Sequence, residues 1–416
     1  MKNRKVAVVI IGDEILLGRV TDTNSGFIAR AVDQCGGKVV RISTVGDSYS
    51  AIRQAIETAF DCADIVFTTG GLGPTKDDIT KTVLTDFFGG ELVRDKNITE
   101  NIRKIFEKRN LRLNTLTLDQ ALVPSSASII QNRLGTAPIM IFSKDSKILV
   151  SMPGVPFEME GMLPDVMAYL QERFADTVPV LHHTWIISEI SESALSQKLE
   201  AFENSLPVGY KLAYLPDSPI IKLRLDSEAD DGLFNLFCRK LDDTLRSIDE
   251  VFILGEGEKT LGQIVVERLA RDGLTLSTAE SCTGGNIARV ITGVPGSSAV
   301  FNGGVVSYAN SAKINVLDVG KETLEENGAV SRPVVIQMVD GVSRIMSTTC
   351  AVSTSGIAGP TGGTPDKPVG TVWMAVKTPN GIQAVCHRFP GNRTRVIQRA
   401  TATALILLLK ALTGES

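Results

Sequence analysis

The sequence predicts a multi-domain α/β protein whose N-terminal part is a three-layer, Rossmann-like domain. In residues 1–170, short apolar runs such as VAVVII, KVVRISTV and DIVFTT alternate with helical stretches such as SGFIARAVDQCG and SAIRQAIETAFDCA. Buried strands that alternate with helices of this length are typical of a parallel, doubly wound sheet. In addition, 416 residues exceed what one hydrophobic core usually serves, so we expect two or three domains.

Two further domains are predicted after the first. Residues 171–253 combine alternating runs such as TWIISEI and PIIKLRLDSE with two helical stretches, which indicates a small α+β unit. This pattern resembles a KH-type module, but a convincing G-x-x-G loop is missing. The segment GEGEKTLG is interpreted as a linker that leads into a helix with Thr260 at its N-cap. Helix and strand patterns then return over 258–416, which we predict to be a second enzyme-sized α/β domain.

The composition narrows the function classes. A net charge of -4 argues against a general nucleic-acid binder, which would be basic. The six cysteines are scattered without a C-x-x-C pair, which argues against a thiolate zinc site and suits a reducing compartment. The first apolar run is too short for a signal peptide, and the run ALILLLKAL is too short to span a bilayer. We therefore expect a cytoplasmic protein without a membrane partner, and a core-facing helix at the C-terminus.

Histidine is scarce in this chain. The three histidines are His182, His183 and His387, and only the last lies in the predicted C-terminal domain. This scarcity nearly removes His-based triads and His-rich metal sites from consideration. Acid–base chemistry must then fall mainly to Lys, Asp, Glu or Tyr.

A glycine-rich loop, TTGGLGPTKDDIT, follows the third predicted strand. Gly70, Gly71 and Gly73 allow the backbone to approach a ligand closely and to present its amide groups. Open α/β sheets bind ligands at the carboxyl ends of their strands, and a helix N-terminus there favours phosphate. The loop therefore predicts a phosphate-bearing ligand.

Acidic residues accompany this loop. Asp77 and Asp78 are placed to hold Mg²⁺ or a similar divalent metal against phosphate oxygens, and Asp13 and Glu14 follow the first strand. The alternative interpretation is that the glycines make a tight turn and the acids cap the next helix. The strand–loop–helix context favours the ligand site over that alternative.

A second glycine-rich turn, STAESCTGGNIAR, follows a short strand near the C-terminus. Ser281 and Cys282 stand at the strand-to-helix turn, where nucleophile sites expose a side chain beside backbone amides. Thr283, Gly284 and Gly285 would let a substrate approach the helix N-terminus. This geometry predicts acyl-transfer chemistry, most simply the hydrolysis of an amide.

The residues by themselves leave the nucleophile open. Cys282 is intrinsically the stronger nucleophile, but it would need a histidine, and only His387 is available. Ser281 could instead be activated by a lysine, and VVSYANSAKINVL offers Tyr308 and Lys313 in a strand-and-turn context. A lysine acts as a base only when its pKa is lowered by burial or by a neighbouring cation. Otherwise Lys313 would be a solvated surface residue.

Later segments point to a substrate that carries phosphate. VPGSSAVFNGG places Ser297 and Ser298 beside glycines, and SGIAGPTGG adds a glycine-rich loop over 359–363. Arg393 and Arg395 precede the terminal helix, and an arginine can bind a phosphate monoester through two donors. The alternative is a surface turn and a solvated helix start.

Several motifs in the N-terminal part resemble a known family. GDEILLG, DTNS, GGLGPTKDD, NRLGTAP and SMPGVPFEMEGM are similar to the molybdopterin-binding fold, and most closely to the N-terminal domain of the CinA (competence/damage-inducible protein A) family. The resemblance implies a nucleotide ligand, ADP-ribose, that is hydrolysed at its pyrophosphate with a divalent metal. Carried over by motif, the site residues are Asp13, Glu14, Asp22, Asn24, Gly70, Gly71, Gly73, Thr75, Asp77 and Asp78.

The C-terminal motifs AESCTGG, PGSSAVFNGG, SYAN, SGIAGPTGG and GNR resemble the nicotinamide-nucleotide amidase domain that ends CinA proteins. The implied reaction converts nicotinamide mononucleotide to nicotinate mononucleotide and ammonia, without a metal. The resemblance makes Ser281 the nucleophile, Lys313 its base and Tyr308 an assisting residue. The implied substrate-binding residues are Cys282, Thr283, Gly284, Gly285, Ser298, Ser355, Gly359 and Arg393.

The leading hypothesis is therefore a bifunctional nucleotide hydrolase of pyridine-nucleotide salvage that acts on nicotinamide mononucleotide and ADP-ribose. One alternative is an N-terminal activity alone, with an inactive amidase domain. Another is a non-catalytic, molybdopterin-binding-like accessory protein. By analogy with similar domains we expect a homodimer.

Overall fold

In the computed structural model, which describes residues 4–75, 77–174, 181–228 and 232–414, strands and helices alternate along most of the chain. The chain divides into two units, Met1–Leu181 and His182–Ser416. The strands of the first unit are β1 (Lys5–Ile11), β2 (Lys38–Val45), β3 (Ile65–Thr69), β4 (Leu92–Arg94), β5 (Leu122–Pro124), β6 (Ser128–Ile130), β7 (Ile139–Lys144) and β8 (Lys147–Met152). Its helices are α1 (Asp13–Leu16), α2 (Asn24–Gln34), α3 (Tyr49–Cys62), α4 (Thr80–Phe88), α5 (Lys96–Lys108), α6 (Thr115–Asp119) and α7 (Pro156–Arg173).

The first unit has the three-layer architecture that its sequence predicts. Its main sheet has the order β2-β1-β3-β8-β7-β6, in which β2, β1, β3 and β8 run parallel. Side chains of β1 alternate between two cores, since Val8 packs with helices α2 and α7 and Val9 packs with α3, α4 and α5. The parallel strands end at one edge, and the loops after β1, β3 and β8 meet there.

The second unit begins with a split β-α-β module. Its elements are β9 (Leu181–Ser188), α8 (Glu192–Asn204), β10 (Tyr210–Asp217), β11 (Ile220–Ser227), α9 (Phe234–Arg246) and β12 (Phe252–Glu256). The strands lie in the order β10-β11-β9-β12, and the β10–β11 and β9–β12 pairs are antiparallel. This is the ferredoxin-like arrangement. The small α+β unit that the sequence predicts is present, and its strand order is a feature that element composition does not specify.

The rest of the second unit is an α/β domain around one five-stranded sheet. Its strands are β13 (Leu276–Glu280), β14 (Phe301–Val306), β15 (Cys350–Gly356), β16 (Thr371–Thr378) and β17 (Gly381–Arg388). Its helices are α10 (Leu261–Asp272), α11 (Asn286–Thr292), α12 (Asn310–Leu317), α13 (Lys321–Asn327), α14 (Arg332–Met346) and α15 (Arg393–Thr413). The order is β14-β13-β15-β16-β17, and β13 runs parallel to both of its neighbours.

The predicted domain limits, 1–170, 171–253 and 258–416, differ from this division in two ways. Position 170 falls inside helix α7, whose buried face still belongs to the first core. The split β-α-β module and the α/β domain share one hydrophobic core, in which Ile186 and Leu254 pack with residues of α10 and α15. The segment predicted as a linker includes the end of β12, and Thr260 then caps α10 through a capping box, as predicted.

Helix α15 is the core-facing terminal helix that the sequence predicts. By length and composition alone it is apolar enough to cross a membrane, and half of its most apolar window is buried inside the protein. Its buried residues, among them Val396, Leu405 and Leu408, pack into the core beneath β15 and β16. The helix therefore uses its apolar face to complete this core.

Candidate active site

The nucleophile turn lies at the carboxyl end of strand β13. Every residue of β13 is buried, and Ser281, which follows it, is only 8% exposed. The backbone N–H of Ser281 donates to the Thr354 carbonyl of β15 at 2.9 Å, which extends the parallel pairing by one residue. The site therefore stands where ligands bind in open α/β sheets.

Lys313 contacts Ser281 directly. Its side chain is buried, with 1% exposure, and Nζ lies 3.2 Å from Ser281 Oγ. Nζ also donates to the Ser307 carbonyl at 2.7 Å and to the Tyr308 carbonyl at 3.4 Å. Burial lowers the pKa of Lys313 below its usual value of 10.5. A neutral amine has two N–H groups for the two carbonyls and one lone pair for the serine hydroxyl, so this environment suits a base.

The position of Lys313 corrects two expectations. It lies on helix α12 and not on a turn, and it is not a solvated surface residue. Helix α12 starts directly after the end of β14, and helical side chains point back toward the N-terminus. That direction carries the amine to the end of the neighbouring strand β13.

Cys282 is unsuited to attack. Its side chain is buried, and burial raises the pKa of the Cys282 thiol to about 12. The reactive form of a cysteine is the thiolate, so this thiol is inert at neutral pH. Between the two nucleophiles that the sequence leaves open, the geometry favours Ser281.

Glu280, which sequence reasoning missed, occupies the N-terminus of helix α11. Its buried carboxylate accepts hydrogen bonds from the Thr283 hydroxyl at 2.7 Å and from the Gly285 backbone N–H at 3.0 Å. It also accepts from the backbone N–H groups of Ile287 at 3.0 Å and Ala288 at 2.8 Å. The expected approach of substrate to these amides is therefore blocked by the protein's own acid. An acidic residue that closes a buried strand before a glycine-rich helix start was the signal in the sequence.

Tyr308, Arg393 and Gly359 come together beside the turn. Arg393 Nη2 donates to the Tyr308 hydroxyl at 2.8 Å, and Nη1 donates to the Gly359 carbonyl at 2.9 Å. The Tyr308 side chain is 61% exposed, and only its backbone carbonyl reaches Lys313. The predicted assisting role of this phenol is thus not supported by a contact with Ser281 or Lys313. Arg393 is exposed at the start of α15, as the alternative of a solvated helix start has it, and it also makes these two contacts.

The remaining predicted residues are distributed around this centre. Ser355 is buried, and its hydroxyl donates to the Ala329 carbonyl at 2.7 Å. Ser298 is exposed on a 3-10 turn, and no described side-chain hydrogen bond joins it to the other site residues. Ser307, which was not predicted, has a buried hydroxyl without a partner among the described residues.

In the first unit, Asp78 holds the glycine-rich loop after β3. Its carboxylate accepts from the backbone N–H groups of Gly73 at 2.8 Å and Thr75 at 2.9 Å, and from the Thr75 hydroxyl. Gly70 has φ +110, and a Cβ there would overlap the Ile11 carbonyl oxygen. The loop therefore depends on glycine at this position and on Asp78 for its shape.

Asn24, the first residue of α2, lies under the same loop. The Thr69 hydroxyl donates to the Pro153 carbonyl at 2.8 Å, so it accepts from Asn24 Nδ2 at 2.9 Å. Nδ2 also donates to the Gly154 carbonyl at 2.9 Å, which fixes the orientation of the amide. Asn24 Oδ1 is left buried without a partner among the described residues. A hydroxyl or amino group of a ligand would satisfy it.

The other predicted acids make local contacts. The backbone N–H of Asp13 donates to Asp47 Oδ2 at 2.9 Å, and that of Asp47 donates to Asp13 Oδ1 at 3.3 Å. Burial, and then the nearby carboxylates of Asp13, Glu14 and Asp78, raise the pKa of Asp47, a residue that was not predicted. Asp22 accepts from the backbone N–H of Ser25 at 3.2 Å and from its hydroxyl, and so caps the start of α2.

The acids after the loop do not form an assembled metal site. Among the described residues, no group of three or more His, Cys, Asp or Glu side chains is placed to hold a metal ion. Asp77 is exposed, and a cation at Asp78 would have to compete with the three donors of the loop. The alternative, in which the acids cap the next helix, does not describe Asp78 either, because its described donors lie in the loop and α4 has no side-chain cap.

Comparisons with known proteins match this architecture. Residues 7–172 match the family described as "Probable molybdopterin binding domain", and residues 258–412 match the CinA C-terminal domain. A CinA-like protein of Cytophaga hutchinsonii is 39% identical over 97% of this chain and 96% of its own. The chain belongs to the CinA family.

Other CinA proteins are similar over the whole chain or over part of it. A CinA-like protein of Flavobacterium psychrophilum is 37% identical, over 98% of both chains. A crystal structure of a competence/damage inducible protein from Agrobacterium tumefaciens is 43% identical, covers 37% of this chain and 93% of its own, and has a TM-score of 0.36. The whole-chain CinA relatives also span the split β-α-β module that lies between the two matched domains.

Proposed function

We propose that the C-terminal domain is an amidase in which Ser281 is the nucleophile and Lys313 the base. The observation that carries this proposal is the buried contact of 3.2 Å between Lys313 Nζ and Ser281 Oγ. Burial lowers the pKa of Lys313, which favours the neutral amine, and two carbonyls orient that amine toward the serine. Ser–Lys pairs of this kind are a known variant of triad chemistry.

The reaction follows from these contacts. Lys313 takes the hydroxyl proton as Ser281 Oγ attacks the carbonyl carbon of the amide. Backbone N–H groups of the strand-to-helix turn that follows Ser281 are the donors that would stabilise the oxyanion. Lys313 then gives its proton to the departing nitrogen, and ammonia leaves. Water hydrolyses the acyl-enzyme to the carboxylic acid, and Ser281 regains its proton.

The proposed substrate is nicotinamide mononucleotide. The resemblance to the amidase domain supplies its identity, and two features of the site support a phosphate-bearing amide. Arg393 donates to the hydroxyl of Tyr308, a residue whose backbone carbonyl contacts Lys313. Glu280 already accepts from the amides at the start of α11, and the exposed Arg393 is a cation that can bind a phosphate monoester.

The test is ammonia release from nicotinamide mononucleotide. We expect release by the wild type, none by Ser281→Ala, and a large loss by Lys313→Met. Nicotinamide riboside, which lacks the phosphate, should be a poor substrate for the wild type. Arg393→Gln should impair turnover of the mononucleotide and leave turnover of the riboside unchanged. Wild-type protein that releases no ammonia would refute the amidase.

We also propose that the first unit binds and hydrolyses ADP-ribose. The support is the glycine-rich loop at the carboxyl ends of parallel strands, together with the unpaired Oδ1 of Asn24 below it. The test measures AMP from ADP-ribose with Mg²⁺, and with chelator instead of Mg²⁺, for wild type and Asn24→Ala. Formation of AMP that Asn24→Ala abolishes supports the proposal, and equal rates in both proteins contradict it. The cytoplasmic location, the homodimer and the divalent metal stay predictions.

A further inference from the structure

We propose that Glu280 is the positioning residue of the nucleophile turn, and that its carboxylate fixes the turn through four described hydrogen bonds. This inference rests on the proposed amidase function. Glu280 directly precedes Ser281, is 1% exposed, and contacts neither Ser281 Oγ nor Lys313 Nζ through a described hydrogen bond. It therefore acts through the turn and not on the substrate.

The two carboxylate oxygens have separate partners. Oε2 accepts from the Thr283 hydroxyl and from the backbone N–H groups of Gly285 and Ile287, while Oε1 accepts from that of Ala288. All four partners are donors, so the acceptor-only form of the side chain is the one that fits. Hydrogen bonds to a charged acceptor are about twice as strong as neutral ones, and the helix dipole adds to them.

These contacts connect the turn to the sheet on both sides. Thr283 Oγ1 lies 2.7 Å from Thr354 Oγ1, and the Thr354 carbonyl accepts from the Ser281 backbone N–H at 2.9 Å. Gly285 has φ +94, a conformation in which the amides that follow it converge on one carboxylate. Ser281 is thus held between Glu280 on its N-terminal side and the Thr283–Thr354 contact on its C-terminal side. This network fixes the position of Oγ relative to Lys313.

The first test separates positioning from binding. Glu280→Gln keeps the volume of the side chain but places an amide N–H₂ against the N–H donors of the helix. We expect kcat to fall about 100-fold, because a small displacement of a nucleophile has an effect of this size. KM should change little, because no substrate contact is removed. The matched control is Glu322→Gln, an exposed acid in the first turn of α13, which should keep wild-type kcat.

The second test asks whether a free carboxylate can replace the side chain. Glu280→Ala leaves a cavity lined by the four donors that bind the carboxylate in the wild type. Sodium formate should therefore restore kcat of this variant by about tenfold or more, while chloride at the same ionic strength should not. Formate should not activate Glu280→Gln, where the cavity is filled. Circular dichroism melting curves identify a variant that fails to fold, and in that case the Gln variant alone decides.

The outcomes separate this inference from the amidase proposal. A fluorophosphonate labels Ser281 directly: the Oγ–P bond forms, fluoride leaves and the serine proton passes to Lys313. The rate of labelling therefore reports the position of the nucleophile without any amide substrate. Slow labelling of Glu280→Gln with unchanged melting supports the inference even if nicotinamide mononucleotide is not turned over. Wild-type labelling and kcat in Glu280→Gln, or a folded Glu280→Ala that formate does not restore, would overturn it.

Discussion

Replacement of Lys313 by methionine is the sharpest test of the proposed chemistry. Methionine is unbranched and has a length similar to that of lysine, so it can fill the space that the lysine side chain leaves. The substitution removes Nζ, which is the one side-chain atom of the described residues that forms a hydrogen bond with Ser281 Oγ, at 3.2 Å. It leaves the nucleophile, the turn and Arg393 in place.

The size of the effect follows from the contacts that are lost. A positioned general base contributes about 10²- to 10⁴-fold to a rate. A loss of about 1000-fold in kcat corresponds to about 4 kcal/mol at 1.36 kcal/mol for each factor of ten. KM should change less than threefold or so, because Lys313 touches the enzyme's own groups and not the substrate. The Ser307 and Tyr308 carbonyls lose their Lys313 donor, which lowers the free energy of unfolding by about 1–3 kcal/mol for a buried group. Removal of the buried amine, whose desolvation is unfavourable, offsets part of this loss of stability.

The assay is ammonia release from nicotinamide mononucleotide, with melting temperature measured in parallel. Two controls define the mechanism. Lys313→Arg keeps a cation and its donors, but a guanidinium does not lose its proton, so this variant should be as inactive as Lys313→Met. Lys321→Met changes an exposed lysine on α13 and should keep wild-type kinetics. Refutation would be a folded Lys313→Met or Lys313→Arg with a kcat within about tenfold of wild type.

Four further predictions concern other groups. Because Lys313 must be neutral, kcat/KM should rise with pH through a pKa below 10.5, and this limb should be missing from the residual activity of Lys313→Met. Cys282→Ala should keep kcat within about threefold of wild type, since its thiol has a pKa of about 12; loss of activity would make Cys282 the nucleophile instead. Asp78→Asn should weaken ADP-ribose binding, measured by calorimetry, because Asp78 holds the loop. The loss of affinity should be the same with Mg²⁺ and with chelator, and a loss of affinity seen only with Mg²⁺ would make Asp78 a metal ligand. Burial lowers the pKa of Lys81 from its usual value of 10.5 to about 8. Between these two pH values the unfolded state binds more protons than the folded state, so this group makes the free energy of unfolding rise with pH. The melting temperature of Lys81→Met should lack that rise, and an equal rise in both proteins would contradict this explanation.

The layers of both α/β domains were predictable because they follow from local patterns. Buried strands such as Lys5–Ile11 are almost continuous apolar runs, and helices such as Tyr49–Cys62 place their apolar residues on one face. Thr260 was predictable as an N-cap for the same reason, since a cap depends on residues three positions away. The strand order of the split β-α-β module depends on contacts between residues that are far apart in the chain, so the periodicity of each segment does not show it.

Roles at the two sites divide in the same way. Glycine at position 70 indicates a close backbone approach, and the structure places the Ile11 carbonyl there. Asp78 was expected to hold a metal, which stays a prediction, and the structure adds that its carboxylate holds the loop. The direction of a carboxylate depends on which backbone amides converge on it, and that convergence is a property of the folded loop.

Local patterns in the sequence were enough to place Ser281 at a strand-to-helix turn and to show that few histidines are available to activate it. The contact with Lys313 is a result of the fold, because Lys313 lies 32 residues away and reaches the serine from a helix that starts beside strand β14. The fold also decided that this lysine is buried, which is the physical cause of its lowered pKa. Burial is a property of the assembled sheet and helices. The residues on either side of a lysine therefore do not show whether it will be a buried base or an exposed surface charge.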